Sequence, residues 1–247
     1  MPDQNARRPG QMALDLGHVP SHAADDYIIG AGNELAYGHV HGFPGWAHPL
    51  TLIEGPEGAG KSHLARIWAE VAGAAYAVPE TAEDLAREGG SLPLVIEDID
   101  RAPFSELALF HLLNQSMRDY RPVLMTARLP VASWAYATDD LKSRARLAQR
   151  FEVSLSSDIQ LSQMFVKLFG DRQVAVDPKI IAYVVSRMER EPAEVVVLAD
   201  LMDRLALERG GPITRAIATE ALNRRGAFGA RNQMTLDLDG DGDDKDE

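Results

Sequence analysis

Apolar residues follow two different rhythms along this chain. From residue 23 to about 155, short β-rich runs alternate with amphipathic stretches. Thr51–Gly55 is a compact apolar run, followed by a glycine loop and then by Ser62–Gly73, whose apolar positions recur at helical spacing. Leu92–Asp98 is a second buried-strand pattern, Pro103–Tyr120 reads as a helix, and Pro122–Ala127 is a third strand. Alternation of this kind predicts a parallel sheet with helices on both faces. From Ser156 the period becomes helical throughout. Helices are predicted near 158–169, 177–189, 192–209 and 212–224. Ser157 or Asp158, Asp177 and Pro212 are the start signals, and Gly170 and Gly210 the stops. The expected architecture is an α/β base over 23–155 and a small all-helical domain over 156–226.

Outside that span the pattern fades. Residues 1–22 and 227–247 are polar and rich in Gly, Pro, Asn and Asp, and read as flexible tails. Each holds one apolar island: Gln11-Met12-Ala13-Leu14-Asp15-Leu16 and Gln233-Met234-Thr235-Leu236-Asp237-Leu238. An apolar island in a tail too polar to fold alone is the form of a docking peptide.

Composition narrows the classes. Of 247 residues, 45% are hydrophobic and 25% charged, an ordinary globular balance. The absence of cysteine excludes disulfides, thiolate zinc sites and cysteine nucleophiles. No apolar run approaches the roughly 20 residues of a membrane-spanning helix, so a soluble, cytoplasmic protein with no membrane partner is expected. Half of the net charge of −12 lies in Asp237–Glu247. The remainder is mildly acidic and gives no basic footprint for sequence-specific DNA binding.

The strongest chemical signal is Gly55-Pro56-Glu57-Gly58-Ala59-Gly60-Lys61-Ser62, a complete G-x-x-x-x-G-K-[ST] loop between a predicted strand and helix. Gly58 and Gly60 let backbone N–H groups curl toward phosphate oxygens. The following helix offers its positive N-terminus, Lys61 reaches the β- and γ-phosphates, and the Ser62 hydroxyl suits Mg²⁺. ADP or ATP is thus the expected cofactor, with Glu57, Ala59 and His63 also at the loop. Glu97 and Asp98 end the second strand, where P-loop proteins place acids. Glu97 is read as a metal-side acid with Ser62, and Asp98 as the acid that positions the attacking water.

With these motifs placed, the chain resembles AAA+ ATPases of the DnaA clade, and within it the Hda family of regulators, which lack a DNA-binding domain. The resemblance covers roughly residues 11–225. Asp26-Tyr27-Ile28-Ile29-Gly30 with Asn33 is similar to the segment enclosing adenine, which implies contacts from Tyr27, Ile28 and Ile29. Lys61-Ser62-His63-Leu64 resembles the clade's P-loop, Leu94–Ile99 its Walker B strand, Leu124–Pro130 its sensor 1 strand and loop. Asp140–Arg144 resembles the box carrying the arginine finger, which implies a catalytic role in trans for Arg144; Arg146 and Arg150 are neighbouring alternatives. Three positions depart from the pattern. Glu97 replaces the usual first Walker B Asp, Thr126-Ala127-Arg128 lacks the aspartate of DnaA's sensor 1 segment, and Ala193 falls where the lid arginine is expected, which implies slow hydrolysis by the chain alone. The tail motifs resemble the bacterial sliding-clamp peptide, through Gln11, Met12, Leu14 and Leu16, and through Gln233, Met234, Leu236 and Leu238. The resemblance implies a negative regulator of replication initiation. Its partners would be DnaA and the sliding clamp, and homo-oligomers are possible. An autonomous ATPase, a helicase loader of DnaC type and a pure clamp adaptor stay open as other readings.

Overall fold

The computed structural model describes residues 27–155 and 157–226. The tail motifs Gln11–Leu16 and Gln233–Leu238, and Asp26, lie outside them.

The base runs α1 (Glu34–His41), β1 (Leu50–Glu54), α2 (Lys61–Ala72), β2 (Ala75–Tyr76), α3 (Ala82–Glu88), β3 (Leu94–Ile96), α4 (Glu106–Asp119), β4 (Val123–Ala127), α5 (Asp139–Ala145) and β5 (Gln149–Glu152). The strands form one sheet in the order β2-β3-β4-β1-β5, with every pairing parallel. β1 is central, pairing with β4 on one side and β5 on the other. Side chains alternate across it, so one strand feeds two cores. Leu50 and Leu52 pack with Leu94, Ile96, Val123 and Met125 under α3, α4 and α5. Ile53 packs with Val95, Leu124 and Val153 under α1 and α2. Covering both faces explains why β1 and β4 are buried at every position.

The helical part is α6 (Asp158–Asp171), α7 (Pro178–Val185), α8 (Pro192–Arg209) and α9 (215–226). These four helices close a third core, including Leu161, Phe165, Phe169, Val184, Leu198, Met202 and Ile217. Ser157 caps α6 by accepting from the Gln160 N–H, and Asp177 caps α7 by accepting from the Lys179 N–H. Gly210 ends α8 at φ 60°. Two predicted signals do not act as read. Gly170 lies inside α6, because the helix continues one residue further and stops after Asp171. Pro212 precedes α9 by three residues, and Thr214 meets the first-turn N–H of Ile217 instead. The second strand is also shorter than its apolar run: β3 stops at Ile96, leaving Glu97 and Asp98 in the turn beyond it.

Candidate functional site

The site begins where β1 hands the chain to α2. Gly55, Gly58 and Gly60 have φ of 157°, 76° and 91°, values that L side chains rarely adopt. Space is tight as well as the dihedrals. A Cβ on Gly60 would meet Tyr27 Cε2 at 3.0 Å, and one on Gly58 would meet the Ala193 backbone N and Pro192 Cβ at 3.1 Å. The loop is thus pressed between the chain entering the base and the start of α8. Lys61, the first residue of α2, is buried and donates from Nζ to the carbonyl oxygens of Gly55 at 2.7 Å and Pro56 at 2.8 Å. Burial pushes its ammonium below the ordinary lysine range, and the Asp98 charge works against that shift.

The acids sit opposite. Asp98 holds φ 49°, left-handed for a residue with a Cβ. Its N–H donates to the Thr126 hydroxyl at 2.9 Å, and the Ile99 N–H donates to the Thr126 carbonyl at 2.9 Å. β4 thereby fixes the turn that carries the acids. Glu97 accepts from the Ser62 hydroxyl, while burial raises its carboxyl above the usual range. Ser62 and Glu97 are therefore brought together, as the sequence reading requires of an Mg²⁺-side pair. A hydroxyl with carboxylates nearby is a donor set that fits a hard cation.

A cleft of about 370 Å³ opens over the loop. Tyr27, Ile28, Glu57, Gly58, Gly60, Lys61, Ser62, His63, Asp98 and Arg128 line it from the base, Leu155 from the link after β5, and Met164, Lys167, Leu168, Asp171 and Val196 from the lid. Its apolar end is built by a short entry segment. Asn33 is buried; its Oδ1 accepts from the Gly30 N–H and its Nδ2 donates to the Ile28 carbonyl, both at 2.8 Å. Tyr27 stacks on Tyr37 at 5.6 Å and meets His63 edge-on at 5.2 Å, and burial pushes its phenol up.

Most sequence-predicted residues converge here, and the exceptions have plain reasons. Ile29 is half exposed and lies outside the cleft lining, on the turn that Asn33 closes by bonding the backbone of Ile28 and Gly30 on either side of it. Gly55 and Ala59 shape the loop without lining the cleft, and Ala59 is fully buried in the α1–α2 core. The lid side chain that lines the cleft from α8 is Val196 rather than Ala193, whose backbone N faces Gly58. Arg190 pairs with Asp158 at 3.2 Å on the surface. No arginine of α8 therefore lines the cleft among the described residues.

Arg144 lies elsewhere, exposed in the last turn of α5 and outside this cleft. Its helix is anchored at the other end: Glu106 accepts from the backbone N–H groups of Ala137 and Thr138 at 3.2 and 2.8 Å, and from the Thr138 hydroxyl. Those bonds hold the Glu106 carboxyl below its usual range. Arg150 is committed differently, donating from Nε to Glu54 at 3.1 Å. The lid residues of the cleft were not legible beforehand. Met164, Leu168 and Asp171 recur at helical spacing, and that spacing reads equally as a core face.

The chain matches no family model and no curated protein. Solved structures do match. Domain III of the Thermotoga maritima replication initiation protein DnaA superposes with a TM-score of 0.68 at 15% identity, covering 83% of this chain and 97% of that one. AMPPCP-bound DnaA from Aquifex aeolicus gives 0.61 at 16% identity, over 94% of this chain and 80% of that one. Thermotoga maritima RuvB gives 0.61 at 18% identity, over 79% and 69%.

The chain shares the fold of DnaA domain III and of RuvB. Within this fold, P-loop, acids and cleft all stand at the carboxyl ends of the parallel strands, where open α/β sheets bind ligands.

Proposed function

We propose that the protein is a DnaA-directed regulator of the Hda type. It binds ADP or ATP in the cleft through Gly58, Gly60, Lys61 and Ser62, with adenine against Tyr27, Ile28, Leu155 and Met164. Ser62 and Glu97, with Asp98 nearby, would hold Mg²⁺, which supplies charge neutralisation at the phosphates. The protein docks on the DNA-loaded sliding clamp through Gln11–Leu16, with Gln233–Leu238 as a second clamp peptide, and works in the cytoplasm. It then presents Arg144 to ATP held by DnaA, stabilising charge in the transition state and turning initiation off.

One observation carries this reading: an exposed arginine at the end of α5, outside the chain's own cleft, in a module whose α8 contributes Val196 and no arginine to that cleft. Such a module is better equipped to act on a neighbour's nucleotide than on its own. The test is hydrolysis of DnaA-bound ATP with and without this protein and the clamp on DNA. Stimulation that requires both supports the reading, and no stimulation sinks it. An autonomous ATPase is the second reading, favoured by the Ser62–Glu97 contact. Ready turnover without DnaA would select it.

A further inference from the structure

The lid carries a cationic cluster that its own ion pairs do not use up. Arg172, Arg190, Arg209, Arg224 and Arg225 each pair with a carboxylate of the lid. Arg187 and Arg215 are placed differently. Both are exposed, and both guanidinium carbons lie over the Tyr183 ring, 4.1 and 4.4 Å from its centre. Neither has an acidic partner among the described residues. Tyr183 stands in the last turn of α7 and Arg215 opens α9, so two helices of the lid core bring the groups together. The Tyr183 oxygen lies 3.1 Å from the Thr219 hydroxyl, one turn along α9. That bond holds the phenol below its usual range, and the two cations add to the shift. Arg187 donates to the Tyr183 carbonyl at 3.2 Å and to the Ser186 hydroxyl at 2.7 Å, both from Nη1. Its Nε and Nη2 form the side-on fork that matches a carboxylate.

Two guanidiniums steadied on one ring suit a ligand with closely spaced carboxylates. The chain itself supplies one. From Asp237 to Glu247 it holds seven acids and one lysine, with aspartates at 237, 239, 241, 243 and 244. We infer that Arg187 and Arg215, over Tyr183, form a carboxylate-binding site on the lid, and that its occupant is the acidic run Asp237–Glu247 of the same chain. The reach is sufficient. Ten residues separate the end of α9 at Gly226 from Asp237, an extended span of about 33–36 Å. Arg215, at the other end of α9, is about 16 Å away along the helix axis. A tether of that length presents the run at an effective concentration on the order of millimolar, so individually weak carboxylate contacts suffice. Single-stranded nucleic acid fits less well, because it binds by stacking bases on aromatic rings and guanidiniums already cover the Tyr183 ring. The inference does not depend on the proposed function.

The chain has no cysteine, so nitroxide labels can be placed uniquely at Ala182→Cys, exposed beside Tyr183, and at Lys245→Cys, inside the run. Double electron–electron resonance on the full chain is expected to give a short-distance peak at low salt. The peak should be lost at about 1 M salt, where the Debye length is about 3 Å. It should be lost equally in Arg187→Gln with Arg215→Gln, and in Asp239→Asn with Asp241→Asn, Asp243→Asn and Asp244→Asn. Circular dichroism checks that the arginine variant keeps its fold, and the aspartate variant changes no described residue. The peak should persist when labelled chain is diluted into unlabelled chain. Loss on dilution means that copies exchange their runs, and overturns the inference. A peak that survives the arginine substitutions, or a wild type without one at low salt, overturns it as well. A single-stranded oligonucleotide that binds through the two arginines in a chain without the peak makes the cluster a nucleic-acid site instead, and overturns it too.

Discussion

The backbone N–H of Asp98 lies 2.9 Å from the hydroxyl oxygen of Thr126, one strand away. That bond supports a turn in which Asp98 holds φ 49°. Thr126 is 1% exposed, so little water can replace a lost hydroxyl. Thr126→Val keeps the shape and removes the acceptor. It is expected to cost about 1–2 kcal/mol of stability, the usual penalty for orphaning a buried donor, and to weaken nucleotide binding through the displaced acid. Urea denaturation and ADP titration check the two effects separately.

Lys61 bonds the Gly55 and Pro56 carbonyls, so the loop is already closed around its ammonium. Lys61→Ala frees those carbonyls and would remove the contact to the phosphates that the proposed function requires. Affinity for ADP and ATP should fall by at least about tenfold, as expected for a lost charge-assisted contact. Unchanged affinity by calorimetry would refute the P-loop assignment.

Arg144→Ala should leave folding and nucleotide affinity intact, because the side chain is exposed and outside the cleft. On the proposed function, stimulation of DnaA should drop by about 10³-fold or more, the scale of arginine fingers. The measurement is phosphate release from DnaA–ATP with clamp and DNA present. Full stimulation by the variant would move the role to Arg146; Arg150 is a weaker candidate because Glu54 holds it.

His39 is sandwiched between Trp46 and Phe151, each ring centroid 4.4 Å away, and its Nε2 lies 2.8 Å from the Thr51 hydroxyl. Burial lowers its pKa to about 4. The unfolded chain has the ordinary value near 6.5, so below that pH it binds the proton more readily than the folded protein does. The stabilising contribution is therefore complete above pH ~6.5 and is lost as pH falls toward 4. Discounted for the half-buried ring, it amounts to about 2 kcal/mol. Urea midpoints between pH 4.5 and 7.5 should show this slope in wild type and a reduced one in His39→Gln.

The parts of the fold that the sequence announces are those with strong local causes. β1, β4, α2 and α4 follow from buried runs and helical spacing, and the glycine loop names its own geometry. β2 has only two residues, Ala75 and Tyr76, too few to carry a pattern. β5 reads Gln-Arg-Phe-Glu, a polar strand held by pairing with β1 rather than by its own burial. At the site, the P-loop and its acids are legible because phosphate chemistry demands fixed residue types. The lid contribution is not, since Leu168 belongs to the lid core as well as to the cleft lining, and Val196 stands in an unbroken apolar run of α8. The Glu57–Arg128 pair spans 71 positions, and no local rule connects such distant charges.

Base and lid keep separate apolar cores, and the P-loop touches the start of α8 at Gly58. Apolar packing alone does not dictate one angle between the two bodies. A molecule lodged in the cleft would touch both bodies at once, meeting Tyr27 and Lys61 on one side and Leu168 and Val196 on the other. Ile159 and Val166 are exposed on α6, while Arg144 is carried by the base. A partner that gripped both that lid surface and the arginine would therefore hold base and lid together as one.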